Sequence, residues 1–292
     1  MRSGAPPPRF EIPFPVWQDE YLPFTLAHPA AVLPLRRTRL VFSALVIGSM
    51  APDFPYFLML TDGIRWGHSL RGVFFFCLPA GLLLLWLFHS LVKRPLLALA
   101  PEYVRVRVAP DELDFRFLPL RRFLLIVVSL LLGTFTHILW DGLTHDHGYF
   151  VKHWPWLSMP VVSPVTARHV IPLWRSLQLW CSVGGVLLIV AVTVWWWWRK
   201  PVLTQPVESQ LTPLRRHQLL AAGFLLALAI GLAVGIAREG SHQYKWMLVE
   251  TTIVTISALC AELLLFSLFW KSRPKEKPLD RRIQGLDASA ER

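Results

Sequence analysis

The 292-residue chain has little charge and few cysteines. Only 17% of its residues are charged, against about a quarter in an average soluble protein, and 54% are hydrophobic. The charged residues are grouped between long uncharged runs, which excludes an ordinary soluble domain. Cys77, Cys181 and Cys260 each stand alone within an apolar run. They indicate packing positions and no disulfide framework.

Several motifs of known enzymes are also missing. The chain contains no Gly-rich phosphate loop, no Walker motif, no Cys-x-x-Cys pair and no Gly-x-Ser-x-Gly elbow. The formal net charge of +11 could suggest a nucleic-acid partner, but the 30 Lys and Arg residues flank apolar runs. We therefore interpret the basic residues as a topology signal and expect no nucleic acid to bind.

Apolar runs of membrane-spanning length are what the chain does have. A helix rises 1.5 Å per residue and needs roughly 20 apolar residues to cross about 30 Å of hydrocarbon. Five stretches reach or approach that length: 72–92, 123–140, 177–198, 218–237 and 247–270. The last one contains Glu250 and Glu262, and a carboxyl group at membrane depth is a candidate for function.

Two shorter apolar pieces precede these spans. Residues 26–35 and 40–50 are each too short to span untilted, and the basic tip 36–39 separates them. We predict a helical hairpin over 26–53, which brings His28 and Asp53 to the same end. The predicted fold class is therefore an all-α polytopic integral membrane protein, with an N-terminal hairpin followed by about five transmembrane helices.

The positions of the basic residues predict the orientation. Segments 93–122, 199–217 and 271–292 hold 18 Lys and Arg residues, and the segments on the other side hold 12. Cytoplasmic loops carry the excess of basic residues, so we expect the C-terminus in the cytoplasm of a bacterial inner membrane. The predicted divisions are a flexible N-terminus (1–21), a metal-site membrane domain (22–176), a three-span anchor (177–271) and a disordered basic tail (272–292).

Five of the ten histidines fall within 137–169, just after the second span. His137, Asp141 and His145 follow one another at intervals of four residues, so a continuing helix would place them on one face. Gly142 and Gly148 weaken that continuation for His145. A histidine and a carboxylate one turn apart supply half of a typical site for zinc or a similar divalent ion.

Other potential ligands come from separate segments predicted to lie at the same membrane face. They are His28 and Asp53 at the two feet of the hairpin and His68 in the loop 61–71. Convergence of three histidines and two aspartates predicts a divalent-metal site, which we expect to hold zinc. A bound divalent ion lowers the pKa of a water molecule toward about 7, and Asp141 or Asp146 could accept its proton. Because the site lies beside the spans, we expect a lipid-linked or headgroup-bearing substrate.

These motifs carry a family resemblance over roughly residues 22–170. The opening Pro-Phe-Thr-Leu-Ala-His-Pro-Ala-Ala, then Gly-Ser-Met-Ala-Pro-Asp, Gly-His-Ser and Gly-Thr-Phe-Thr-His-Ile-Leu-Trp-Asp-Gly, resemble the bacterial DUF4184 proteins. The order is also similar to that of the YdjM-type membrane-bound metal-dependent hydrolases. The resemblance implies that His28, Asp53, His68, His137 and Asp141 bind metal and that the reaction is phosphoester or lipid hydrolysis.

The chain departs from the YdjM pattern after Pro52-Asp53, where Phe54, Pro55 and Tyr56 replace a second carboxylate and a histidine. Asp62, or His145 and His147, could substitute for them. Two other interpretations stay open. One is a non-catalytic membrane protein with a structural metal site or none. The other is a transporter, against which the spans show no inverted repeat.

Overall fold

A computed structural model describes residues 25–60, 64–164, 170–204, 209–239 and 244–272. The predicted flexible N-terminus, residues 273–292 of the predicted tail, and Asp62 lie outside the described residues. Within the described part, helices predominate and the only strands are β1 (Pro160–Val162) and β2 (Val170–Pro172), which pair antiparallel. The predicted all-α polytopic fold class is confirmed.

Long helices form the bulk of the molecule and short ones connect them. The α-helices are α1 (Phe42–Gly48), α2 (Phe54–Met59), α3 (Leu70–Leu99, with π-helical turns at Val73–Cys77 and Phe88–Val92), α4 (Glu102–Arg105), α5 (Leu120–Thr144), α6 (Tyr149–His153), α7 (Leu173–Arg199), α8 (Pro213–Glu239) and α9 (Tyr244–Ser272). The 3₁₀ helices are Thr25–Arg37, Ala51–Asp53, Trp66–His68, Pro110–Leu113 and Pro155–Ser158.

Five of the described helices are long and apolar enough to cross a membrane: α3, α5, α7, α8 and α9. Each corresponds to one predicted span and extends beyond it at both ends. Prolines set several of the boundaries, because proline fits the start of a helix but not its interior. Helix α7 follows Pro172, and α8 begins with Pro213.

The N-terminal hairpin differs from the prediction in two respects. Its first arm, Thr25–Arg37, is a 3₁₀ helix that contains Pro29 and Pro34, each of which lacks the N–H that an α-helical hydrogen bond needs. Its second arm does not end at Asp53, because the chain bends by 40° after α1 and continues into α2. The bent pair from Phe42 to Met59 would be a sixth span if it crosses the membrane as one unit.

A close crossing of α1 and α5 forms the centre of the N-terminal half. A Cβ atom added at Gly133 would lie 2.3 Å from the carbonyl oxygen of Leu45, so only glycine permits this approach. The Ser129 hydroxyl accepts a hydrogen bond from the backbone N–H of Val41 at 2.9 Å. An apolar core surrounds the crossing and consists of Val41, Ala44, Ile47, Leu85, Ile126 and Leu130. The crossing holds the following turn, which carries Asp53, beside the C-terminal half of α5.

The last three long helices pack in two different ways. Helix α7 lies along the 3₁₀ arm Thr25–Arg37, so it contacts the N-terminal half although the predicted division assigns it to the anchor. Helices α8 and α9 pack mainly on each other. Glu250, one of the two carboxylates noted in the last span, is buried and forms an ion pair of 3.0 Å with Arg238. This pair gives Glu250 a structural role in joining the two helices.

Candidate metal centre

Four side chains from three segments direct ligand atoms at one point. Asp53, His68, His137 and Asp141 each offer one atom, and these four atoms all lie within 4.8 Å of one another. His68 Nε2 lies 3.4 Å from Asp53 Oδ1, 3.2 Å from Asp141 Oδ2 and 3.2 Å from His137 Nε2. His137 Nε2 lies 3.4 Å from Asp53 Oδ1 and 3.1 Å from Asp141 Oδ2.

These separations match the edges of a small coordination polyhedron. Ligands bound tetrahedrally to zinc at 2.0–2.2 Å are separated from one another by about 3.3–3.6 Å. Neighbouring ligands of an octahedral ion at about 2.1 Å are separated by about 3.0 Å. The five separations given above run from 3.1 to 3.4 Å, so they are closer to the tetrahedral spacing.

Hydrogen bonds alone leave like-charged atoms of this cluster facing one another. His137 Nδ1 lies 2.7 Å from the carbonyl oxygen of Ser49, and since a carbonyl only accepts, Nδ1 carries the proton. A neutral His137 ring then directs the lone pair of Nε2 toward two carboxylate oxygens, which is repulsive. A second proton on that ring could be donated to a carboxylate, but it would oppose a proton on His68 Nε2, which faces the same two carboxylates and lies only 3.2 Å away. A cation between the four atoms removes both conflicts, and the Ser49 contact fixes the ring as metal-ligating histidines require.

The local backbone explains why His68 and Asp53 meet. A Cβ atom added at Gly67 would lie 2.4 Å from the carbonyl oxygen of Pro52, so glycine lets the turn Trp66–His68 approach the turn Ala51–Asp53. The Thr25 hydroxyl donates a hydrogen bond of 2.7 Å to Asp53 Oδ2, which leaves Oδ1 free to face the histidines.

Electrostatics around His68 are dominated by the two carboxylates. Burial by itself would lower the pKa of His68, but the hydrogen bonds of the ring to Asp141 and Asp53 outweigh burial and raise the pKa above its ordinary value. Asp53 is fully buried and His137 is fully buried, so little water screens these charges. The two carboxylates therefore attract positive charge strongly, whether it comes from a proton on a histidine ring or from a metal ion.

His28 also reaches this cluster, although it lies outside the four-atom group. Its ring stacks on that of His137 with 3.7 Å between the ring centres, and its Nε2 lies 3.6 Å from Asp141 Oδ1. All five residues that the sequence predicts as ligands are thus close together. Their role as metal ligands stays a prediction.

The remaining residues of the His-rich segment divide into two groups. His145 Nδ1 lies 3.6 Å from Asp141 Oδ1, and its Nε2 lies 3.0 Å from the side-chain amide of Gln178 on α7. Asp146, predicted as an alternative proton acceptor, does not reach the cluster, because its side chain is 60% exposed and pairs with His147 at 2.8 Å. Sequence reasoning missed the supporting contacts of Thr25, Ser49 and Gln178. Thr25 and Ser49 stand in the motifs beside His28 and Asp53, which was the available signal, whereas Gln178 lies on a distant helix and has none.

The fold and the cluster together define a polytopic helical membrane protein with a candidate metal centre at one end of its spans. His68 precedes α3, and Asp141 lies in the last turn of α5, so both helices present the cluster at the same membrane face. The chain belongs to the DUF4184 family, because the family model, described as a domain of unknown function, matches residues 22–268. This match extends beyond residue 170 and includes the last three spans. No curated protein and no solved structure matches the chain.

Proposed function

We propose that the protein is a membrane-bound metal-dependent hydrolase. The observation that carries the proposal is a largely buried set of two aspartates and two histidines, in which the His–Asp and His–His distances between ligand atoms are 3.1–3.4 Å. Imidazole nitrogens and carboxylate oxygens at this spacing suit zinc better than magnesium or calcium, which prefer six or more oxygen ligands. The order of the motifs, which is similar to that of the YdjM-type hydrolases, supports the same reaction class.

The chemistry follows from what a divalent ion supplies. Such an ion polarises a phosphoryl or carbonyl oxygen and lowers the pKa of a water molecule toward neutrality. The protein itself then has three tasks. Ser49 holds His137 in one tautomer, and Thr25 orients Asp53. The complete burial of Asp53 and His137 keeps water from these two side chains. Catalytic roles for Asp141 and Asp146 stay predictions.

The position of the cluster favours a substrate that resides in the membrane. The side chains lie near the ends of helices that are long and apolar enough to cross a membrane, and we expect such ends to lie near the lipid headgroups. The proposed substrate class is a phosphoester or lipid-linked compound whose headgroup reaches the cluster while its tail stays among the acyl chains. Membrane lipid is the corresponding partner.

Metal content and turnover test the proposal together. We expect full-length protein purified in detergent to hold stoichiometric zinc by elemental analysis and to hydrolyse phospholipid or p-nitrophenyl phosphate, with loss of activity in a chelator and recovery on adding zinc. His137→Ala should lose both metal and activity. His153→Ala is the matched control, because His153 is exposed and contacts the carbonyl oxygen and the ring of Tyr149, outside the cluster. Protein without metal, or a fully active His137→Ala variant, would refute the proposal.

One observation favours the alternative of a non-catalytic metal site. Four protein ligands complete a tetrahedron, as in structural zinc sites, whereas catalytic zinc usually has three protein ligands and an open position. If the site is only structural, removing the metal will lower the thermal stability, and no phosphoester or lipid will be hydrolysed.

The proposed topology places the C-terminus in the cytoplasm of a bacterial inner membrane. The guanidinium group of Arg36 lies 5.4 Å from the ring centre of Trp195, so the hairpin tip is at the same end as Arg199. When the three arginines of the tip are counted on the proposed cytoplasmic side, that side has 21 of the 30 Lys and Arg residues, which strengthens the charge bias. Labelling single cysteines in 93–122 from outside the cell would refute this orientation.

A further inference from the structure

Asp141 has a second carboxylate oxygen that the four-atom group does not use. Its Oδ2 faces His68 and His137, whereas its Oδ1 is buried and has no hydrogen-bond partner among the described residues. An unpaired buried carboxylate oxygen costs free energy comparable to a lost charged hydrogen bond. Such an atom indicates a missing ligand.

Two further histidines face this oxygen from different elements. His28 Nε2, from the 3₁₀ arm, and His145 Nδ1, from the end of α5, each lie 3.6 Å from Asp141 Oδ1. Neither contact is short enough for a good hydrogen bond, and both are close to the separation of two ligands on one zinc ion. The side chains of these three residues are 4–12% exposed.

A small cavity lies at the same place. Its volume is about 10 Å³, which suits a single water molecule or ion and is too small for a headgroup. His28, Asp141, His145 and Gln178 are among the residues that line it. The Gln178 amide reaches His145 Nε2 at 3.0 Å, and with its oxygen turned toward the ring, Nε2 carries the proton and Nδ1 a lone pair. That lone pair faces Asp141 Oδ1 and the hydroxyl of Thr144, which lies 3.2 Å away and would give up this contact to a bound ion.

We propose that His28, Asp141 and His145 form a second divalent-cation site, with the Asp141 carboxylate bridging it to the first. This proposal rests on the proposed function and makes it more specific. The second ion has three protein ligands and an open position, which is the arrangement of catalytic zinc. The first site, with four protein ligands, then mainly fixes Asp141.

The charge of a doubly occupied site indicates the substrate. Two divalent ions carry four positive charges, and Asp53 and Asp141 neutralise two of them. The described residues within the cluster include no other carboxylate. The remaining positive charge in a buried, poorly screened pocket favours an anionic group, so the substrate class is a phosphoester in preference to a neutral carboxylic ester.

Cobalt titration of the full-length protein tests this inference without relying on activity. Metal-free protein in detergent is titrated with Co²⁺, with visible absorption to count bound ions and electron paramagnetic resonance to detect coupling between them. We expect two equivalents in the wild type and magnetic coupling through the shared Asp141 carboxylate. His145→Ala should bind one equivalent, and His153→Ala, the matched control, should bind two.

The outcomes separate the two proposals. A single equivalent that only His137→Ala removes would overturn the second site and leave the proposed function standing, whereas no binding in the wild type would overturn both. Two uncoupled ions, or two equivalents in His145→Ala, would also overturn the second site. If His145→Ala elutes as aggregate, Gln178→Ala serves instead and should weaken only the second ion about 10- to 100-fold.

Discussion

Substituting Gly67 with alanine should detach His68 from the metal centre. The new Cβ would lie 2.4 Å from the carbonyl oxygen of Pro52, while ordinary contacts of Cβ atoms begin at 3.4 Å. The turn Trp66–His68 must therefore move by about 1 Å relative to Pro52. Ligand distances at metal sites tolerate only about 0.2 Å, so His68 could no longer bind in its present geometry.

The expected effect is a weaker site in a folded protein. We expect the zinc dissociation constant to rise at least 10- to 100-fold, or about 1.4–2.7 kcal/mol, since even the loss of an orienting contact costs that much. Competition with a chromophoric chelator measures the constant, and thermal unfolding of the metal-free protein checks the fold. Gly184→Ala is the matched control, because nothing lies within 4 Å of a Cβ added there. Unchanged zinc affinity in Gly67→Ala would refute the reasoning.

Three other substitutions test separate contacts. Thr25→Val removes the hydroxyl that orients Asp53 and should weaken zinc binding about tenfold in the same competition assay, with no effect expected if the contact is incidental. Asp146→Asn should leave metal content unchanged by elemental analysis, because the side chain is exposed and outside the cluster; metal loss would mean that the loop closes over the site. Arg238→Gln leaves buried Glu250 without its partner and should lower the free energy of unfolding by about 1–3 kcal/mol in denaturant titrations, and a neutral result would mean that lipid or water replaces the pair.

The membrane helices could be predicted from the sequence because length and apolar content determine them. The ends of these helices were predicted less accurately, because the helices continue into flanking polar residues where hydropathy gives no signal. Helix α5, for example, extends from the predicted 123–140 to Leu120–Thr144. The 3₁₀ conformation of the first hairpin arm was not predicted either, because apolar content does not distinguish a 3₁₀ helix from an α-helix. Pro34 in its interior was the available signal.

The five predicted ligands could be brought together from the sequence because each one lies next to an element whose end is recognisable. The contacts that support these ligands could not be predicted in the same way. Ser49 contributes a backbone carbonyl, which any residue would supply, and Gly67 matters only because Pro52 lies opposite it in the fold. Close approach between segments that are far apart in sequence has no local pattern.

His145 lies near Asp141 as the sequence predicts, but the backbone that brings it there is not the predicted helix. The sequence places it near Asp141 by assuming that the helix continues, but α5 ends at Thr144 and His145 has an extended backbone, with φ of −127°. Its ring nevertheless turns back to 3.6 Å from Asp141 Oδ1. Because this position is outside the helix, His145 approaches the oxygen opposite to the one that faces His137. The break in the helix thus lets one aspartate face two pairs of histidines, with Oδ2 toward His68 and His137 and Oδ1 toward His28 and His145.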